Sequence, residues 1–255
     1  MDEFEKAIKR TKGYASKYGQ KLSDKQLFLR LISTKIYDFS KIEGRGEKEA
    51  LDKDWKEKLY LAKDLVNKHL FKMRGIKMVG VTGTVAAEGA KKSEDIDLLV
   101  ITKEDELWWW RLYLRLYVWW NKIPHRKFKK REKHNEFCFN LWLDRANLTI
   151  PKHKRNLKNA TDLILMKVVL DRDNTYQSFL KENKWVKKYL ATGYEERNKR
   201  KATSKILGLR SKKGFSCWRI VNKVLFWGQY LYMWSKTRKK QKFIKRGQAF
   251  FHEDN

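Results

Sequence analysis

The chain has 255 residues, 60 of them Lys or Arg and 30 Asp or Glu, for a net charge of +30. That length buries a proper core in one large domain or two to three small ones, and a 42% hydrophobic, 14% aromatic composition excludes wholesale disorder. Only two cysteines, Cys138 and Cys217, exclude a disulfide scaffold and a cysteine-based zinc module, and they fit a reducing, cytoplasmic setting.

Pro and Gly together number 15, about half the usual share, so a helix-rich chain with few long loops is expected. The opening MDEFEKAIKR carries no apolar secretory segment, and no stretch of 18 residues is free of charge. Residues 3–17 have the spacing of an amphipathic helix. Gly19-Gln20 breaks it, and Ser23 or Asp24 caps a second helix to about Ser33, with Leu27, Phe28, Leu31 and Ile32 as its apolar stripe. This helix-turn-helix segment, residues 1–48, resembles a small winged helix. After a polar break over 43–50, Asp52 or Asp54 caps a long helix to about Met73, with Gly75 ending it. Ile76–Val81 reads as a strand, VTGTVAAEGA as a turn into a small-residue helix, Lys91–Glu94 as a polar loop, and Asp95–Thr102 as a second strand. Leu107–Trp120 is apolar nearly all round except for Arg111 and Arg115, and is expected to be a buried helix with its tryptophans in the core. Asn121–His134 is a basic loop, and Phe137–Leu143 a third strand. Beyond it, Ala160–Leu170, Tyr176–Leu190 and Ser216–Ser235 read as helices, the last with Val221, Val224, Leu225 and Tyr232 on its apolar side and Arg219 and Lys223 opposite.

The charge is lopsided. Residues 1–120 hold 25 basic and 19 acidic side chains; residues 121–255 hold 35 and 11, a net of +24. From Arg197 to Arg246 there are 17 basic residues and no Asp or Glu. A field of one sign repels itself, so an anionic partner is expected. Nucleic acid, whose binding releases condensed counterions, is preferred over an anionic membrane surface. None of the five histidines sits in ligand spacing with another.

Chemistry concentrates between Met78 and Thr102. One strand ends at Val81-Thr82, Gly83-Thr84 turns into a helix, and after a spacer of ten residues a second strand opens with Asp95-Ile96-Asp97. Residues i and i+2 of a strand share a face, so Asp95 and Asp97 project side by side. Two adjacent carboxylates repel unless a cation lies between them. Hard divalent cations are held by such carboxylates together with substrate phosphates. A glycine lets backbone approach a phosphate closely.

This order of parts closely resembles the nucleotidyltransferase superfamily typified by DNA polymerase beta: a glycine followed by a small hydroxyl or glycine residue, a spacer of about ten, then Asp-x-Asp in an apolar strand. Thr84 stands where serine is usual. VTGTVAAEGA, the Leu107-Trp108…Arg111 run, FCFNLWLD, YQSFLKENKWV and the terminal AFFHED are similar to a group of bacterial and archaeal proteins carrying such a domain. The resemblance implies an α+β fold: a small mixed sheet forming a catalytic core over 50–150, preceded by the helical segment and followed by a basic helical region over 151–255. It implies transfer of a nucleoside monophosphate from a nucleoside triphosphate, with Asp95 and Asp97 holding Mg²⁺ or Mn²⁺. Gly83 and Thr84 would cradle the phosphates, Arg111 would point toward the triphosphate, and Asp144 would complete the metal site. The superfamily's third carboxylate lies on a neighbouring strand. In Phe137–Leu143 strict alternation puts Cys138, Asn140, Trp142 and Asp144 on one face, with Asn140 where a mid-strand carboxylate is expected. RNA is the favoured acceptor. The competing expectation is a catalytically degenerate nucleic-acid-binding protein on the same fold.

Overall fold

The computed structural model describes residues 1–47, 54–126, 134–199, 217–236 and 243–251. The alternative cap Asp52, the boundary near 48–50, residues 127–133 of the basic loop, the basic run 200–216 and the terminal HED lie outside them.

The fold is mixed α/β. Among the described residues six strands form one sheet in the order β4-β1-β2-β3-β6-β5. Strands β1 (Ile76–Val81), β2 (Ile96–Thr102) and β3 (Phe137–Asp144) lie where dense β-branched and apolar residues predict them. β2 runs antiparallel to β1 and parallel to β3. Three further strands come from beyond residue 150: β4 (Lys167–Asp171) beside β1, and the hairpin β5 (Phe243–Lys245) and β6 (Gln248–Phe250) beside β3. The 151–255 region is therefore not purely helical, and a boundary at 150 runs through the sheet. The expected helix over 160–170 ends at Leu165, because Val168 and Val169 pack better on a pleated edge than on a helix.

Both faces of the sheet are covered. Ile96, Leu98, Val100 and Trp142 pack under α3 (Asp54–Leu65), α5 (Leu107–Trp120) and α9 (Cys217–Lys236). Leu99, Ile101 and Leu143 pack on the other side under α6 (Leu157–Leu165), α7 (Thr175–Glu182) and α8 (Lys187–Lys199). The long helix predicted to Met73 passes at Val66 into a wider π turn ending at Leu70. Gly75 is needed for space rather than as a left-handed cap, since a Cβ there would overlap the Trp110 indole.

The N-terminal helices α1 (Glu3–Ser16) and α2 (Asp24–Leu29) enclose a small core of Phe4, Ala7, Ile8, Leu22, Leu27, Leu31 and Ile42. No hairpin wing accompanies them among the described residues. Backbone bonds from Ser33 to Tyr189 O (2.9 Å) and from Ala191 to Ser33 O (3.0 Å) tie this segment to α8.

The two aromatic helices differ from expectation. In α5, Leu107, Trp108, Arg111, Leu114 and Val118 form the buried stripe, whereas Trp119 and Trp120 are 62% and 79% exposed. In α9, Asn222, Phe226 and Met233 face inward, and Val221, Val224 and Tyr232 face water. The reason is polar: Asn222 Oδ1 accepts from Trp108 N (2.8 Å), and Gln229 Nε2 donates to Trp108 O (2.8 Å), which fixes the rotation of α9 against α5. Hydrophobicity alone could not set that rotation, because α9 is apolar on more than one side. No described helix is long and apolar enough to cross a membrane.

Candidate metal and nucleotide site

The sequence folds Asp95 and Asp97 onto the opening of β2 beside the end of β1, with Thr82 N donating to Asp97 O (2.9 Å). Carboxylate oxygens of Asp95 and Asp97 and the Sγ of Cys138 all lie within 4.8 Å of one another. Asp95 and Cys138 are buried, Asp97 half-buried.

The turn after β1 fits closely against this group. Gly83 has φ +65°, a conformation that costs an L-residue about 1–2 kcal/mol, and a Cβ there would lie 2.8 Å from Asp97 Oδ2. Glycine therefore admits the carboxylate to the turn. The Thr84 hydroxyl is placed in the same turn, α4 (Gly83–Ala86), but donates to Glu94 Oε2 (2.7 Å), which also accepts from Lys91 N (3.1 Å). A phosphate taking that hydroxyl must displace Glu94.

Two residues that the Asp-x-Asp pattern does not point to bond the carboxylates, and a third fixes the loop that delivers them. Asn140 Nδ2 donates to Asp97 Oδ1 (2.6 Å). Arg126 donates to Asp95 Oδ2 (2.9 Å), its backbone held along the start of β3 by a bond from Arg126 N to Phe137 O (3.0 Å). The Lys58 ammonium of α3, 1% exposed, donates to Lys92 O (3.1 Å), Glu94 O (2.6 Å) and Asn135 Oδ1 (3.0 Å), so it clamps both the loop that delivers Asp95 and the segment that opens β3. Long-range sequence separation hides Arg126 and Lys58, whereas the position of Asn140 in the FCFN strand already placed it where a third carboxylate is expected.

Asp144 is a correction. Asp97 pairs with Cys138, but Asp144 pairs with Thr102 at the other end of the two strands. Alternation also fails between them: a bulge shifts the register between Leu98–Phe139 and Leu99–Leu141, so Trp142 turns into the core under α5 while Cys138 and Asn140 stay with Asp97. Asp144, in phase with Trp142, is on the opposite face from Asp97. Its carboxylate is instead a turn-former, accepting from Ala146 N (3.0 Å) and Asn147 Nδ2 (2.8 Å).

Burial raises the Asp144 carboxyl to about 6, the two hydrogen bonds only partly opposing it. Because the folded value exceeds the unfolded one, the folded protein holds the extra proton between about pH 4 and 6, and stability falls as pH rises through that window. Asp144→Asn keeps the acceptor without the charge. It is expected to stabilise the protein at pH 7 by up to about 3 kcal/mol, to flatten urea stability between pH 4 and 6, and to leave metal binding unchanged. Weakened metal binding would return Asp144 to the site.

Arg111 is a second correction. It is buried between α5 and α9, with NH1 donating to Gln229 Oε1 (2.5 Å), NH2 3.4 Å from Met233 Sδ, and its guanidinium 4.5 Å from the centre of the Phe251 ring. Burial, then repulsion from Arg115, weakens its hold on its proton. This packing places it across the sheet from the carboxylates and away from any phosphate bound to them.

The donor set suits a divalent cation. Two carboxylates share one small volume, each oriented by a hydrogen-bond donor, with a third ligand atom beside them. Comparison of the chain with protein-family models, with curated proteins and with solved structures finds no match.

Proposed function

We propose that the protein transfers a nucleoside monophosphate from a nucleoside triphosphate to an acceptor hydroxyl, with release of pyrophosphate. The observation that carries this reading is the convergence of Asp95 and Asp97 against the Gly83 turn, the arrangement that the likeness to nucleotidyltransferases calls for. A bound divalent cation would draw in phosphate oxygens and stabilise the charge that develops on them. Asp95 and Asp97 would hold it, Asn140 would keep Asp97 turned inward, and Gly83 would let the phosphate chain lie close to the backbone. Once released from Glu94, the Thr84 hydroxyl would donate its hydrogen bond to a phosphate oxygen. The acceptor we favour is RNA, on the +24 charge of residues 121–255.

A second reading, a nucleic-acid-binding protein that keeps this fold without turnover, is favoured by two details. Asn140 stands where a third carboxylate is expected, and Arg126 already neutralises Asp95. Incubation of the protein with labelled nucleoside triphosphates, an RNA pool and Mg²⁺ or Mn²⁺ separates the two. Incorporation abolished by EDTA is the expected result. Tight, salt-sensitive RNA binding with no incorporation under any divalent cation would replace the first reading with the second.

A further inference from the structure

The ligand set at Asp95 and Asp97 is not all oxygen. β2 and β3 are parallel, and Asp97 is the direct partner of Cys138 across the ladder. Side chains of directly paired residues stand on the same face about 5 Å apart. Asp95, two positions earlier, projects to that face as well, and the result is two carboxylates and one sulfur within 4.8 Å. Cys138 is 9% exposed, so its sulfur points into the cluster and not to bulk water. A cation is already engaged there: the Arg126 guanidinium bonds Asp95 Oδ2 at 2.9 Å. A positive group held on one of the oxygen ligands marks the electrostatic demand of the position.

We infer that Asp95, Asp97 and Cys138 form a mixed oxygen and sulfur site for a borderline-soft divalent cation of the Zn²⁺ class, with Arg126 as the internal cation that such a metal displaces. The inference rests on the metal reading of Asp95 and Asp97 given above and changes which metal that site prefers. Mg²⁺ demands near-octahedral oxygen coordination and gives up water reluctantly. Thiolate ligands select softer ions, and Zn²⁺ accepts carboxylate oxygen and cysteine sulfur together in low coordination number. On binding, the sulfur forms its bond to the metal and its proton leaves to solvent. Arg126 swings off Asp95 toward solvent, where it can meet a phosphate. Asn140 remains bonded to Asp97 Oδ1 and keeps the other oxygen toward the metal.

The test uses Cd²⁺, whose bond to a thiolate gives an ultraviolet charge-transfer band, titrated into the full chain with Cys217→Ser to remove the second thiol. One equivalent of Cd²⁺ is expected to produce the band, and Zn²⁺ to bleach it at far lower concentration than Mg²⁺. Cys138→Ser is expected to abolish the band. Asp95→Asn and Asp97→Asn retain the thiol and are expected to weaken Cd²⁺ binding about tenfold or more each, and Asn140→Ala roughly 10–100-fold. Arg126→Gln is expected to tighten it. No band, a band that survives Cys138→Ser, an affinity indifferent to both Asp→Asn changes, or looser binding in Arg126→Gln would overturn the inference. Melting temperatures verify that each variant folds, and the Asp→Asn arms still decide the matter if Cys138→Ser does not fold. Mg²⁺-driven incorporation is read separately. Turnover without Cd²⁺ binding at Cys138 removes the sulfur and leaves the transferase reading, whereas Cd²⁺ binding without turnover does the reverse.

Discussion

Asp95→Ala combined with Asp97→Ala is expected to lower nucleotide incorporation by about 10³-fold or more, since metal-borne charge stabilisation is worth several kcal/mol and each 1.36 kcal/mol is tenfold. Either single change is expected to cost nearly as much as both, because two carboxylates gripping one cation act as a unit and their losses do not add. The melting temperature should fall by only a few degrees: the Asn140 amide, 4% exposed, loses its Asp97 acceptor at a cost of about 1–3 kcal/mol, whereas Arg126, left without Asp95, has a side chain 27% exposed that can turn outward. Incorporation in the double variant within tenfold of the starting protein would refute the assignment. A parallel collapse in melting temperature would show that the loss came from folding, and the Asp→Asn pair, which keeps the shape and hydrogen-bonding capacity, would then be the decisive comparison.

Lys58→Met is expected to be the most damaging change to stability. The substitution keeps the apolar stem and removes an ammonium that bonds Lys92 O, Glu94 O and Asn135 Oδ1. An acceptor left without its charged donor costs about 1–3 kcal/mol when buried, and these three bonds are partly buried, so each falls toward the low end. We expect about 3 kcal/mol in all, and a fall in melting temperature of roughly 6–12 °C. The same change frees the loop that leads into Asp95, so metal affinity is expected to fall in the protein that remains folded. A melting temperature within about 2 °C of the starting protein would show that water satisfies those groups and that the clamp is dispensable.

The sheet's centre was legible in the sequence because β1, β2 and β3 are dense in β-branched and apolar residues that fit no helix period. The edge strands were not. Lys167–Asp171 follows directly on a helix whose apolar spacing runs on into it, and the β5–β6 hairpin is two three-residue strands around Arg246-Gly247, inside what reads as a basic run. Asp95, Asp97 and Gly83 were legible for a local reason: their geometry is set within one turn and one strand. Asp144 was misplaced because counting by twos assumes an unbroken strand. Arg111 was misplaced because its partners, Gln229 and Met233, come from more than a hundred residues downstream. Cys138 was passed over because a buried thiol reads as packing, and nothing local shows that it faces Asp97.

The bulge in β3 has a meaning beyond register. With Asn140 removed, Phe139 and Leu141 would follow Leu98 and Leu99 without interruption, and the ladder between β2 and β3 would pair more regularly than it does. The β2–β3 ladder thus carries one amino acid more than its own pairing requires, and that extra amino acid is the one whose amide grips Asp97 and whose carbonyl accepts from Phe251 N (2.9 Å) on the β6 side. A shortened chain lacking Asn140 should keep the three ligands yet bind metal roughly 10–100-fold more weakly, and should give up the acceptor for Phe251 N (2.9 Å) in exchange for a more regular β2–β3 ladder.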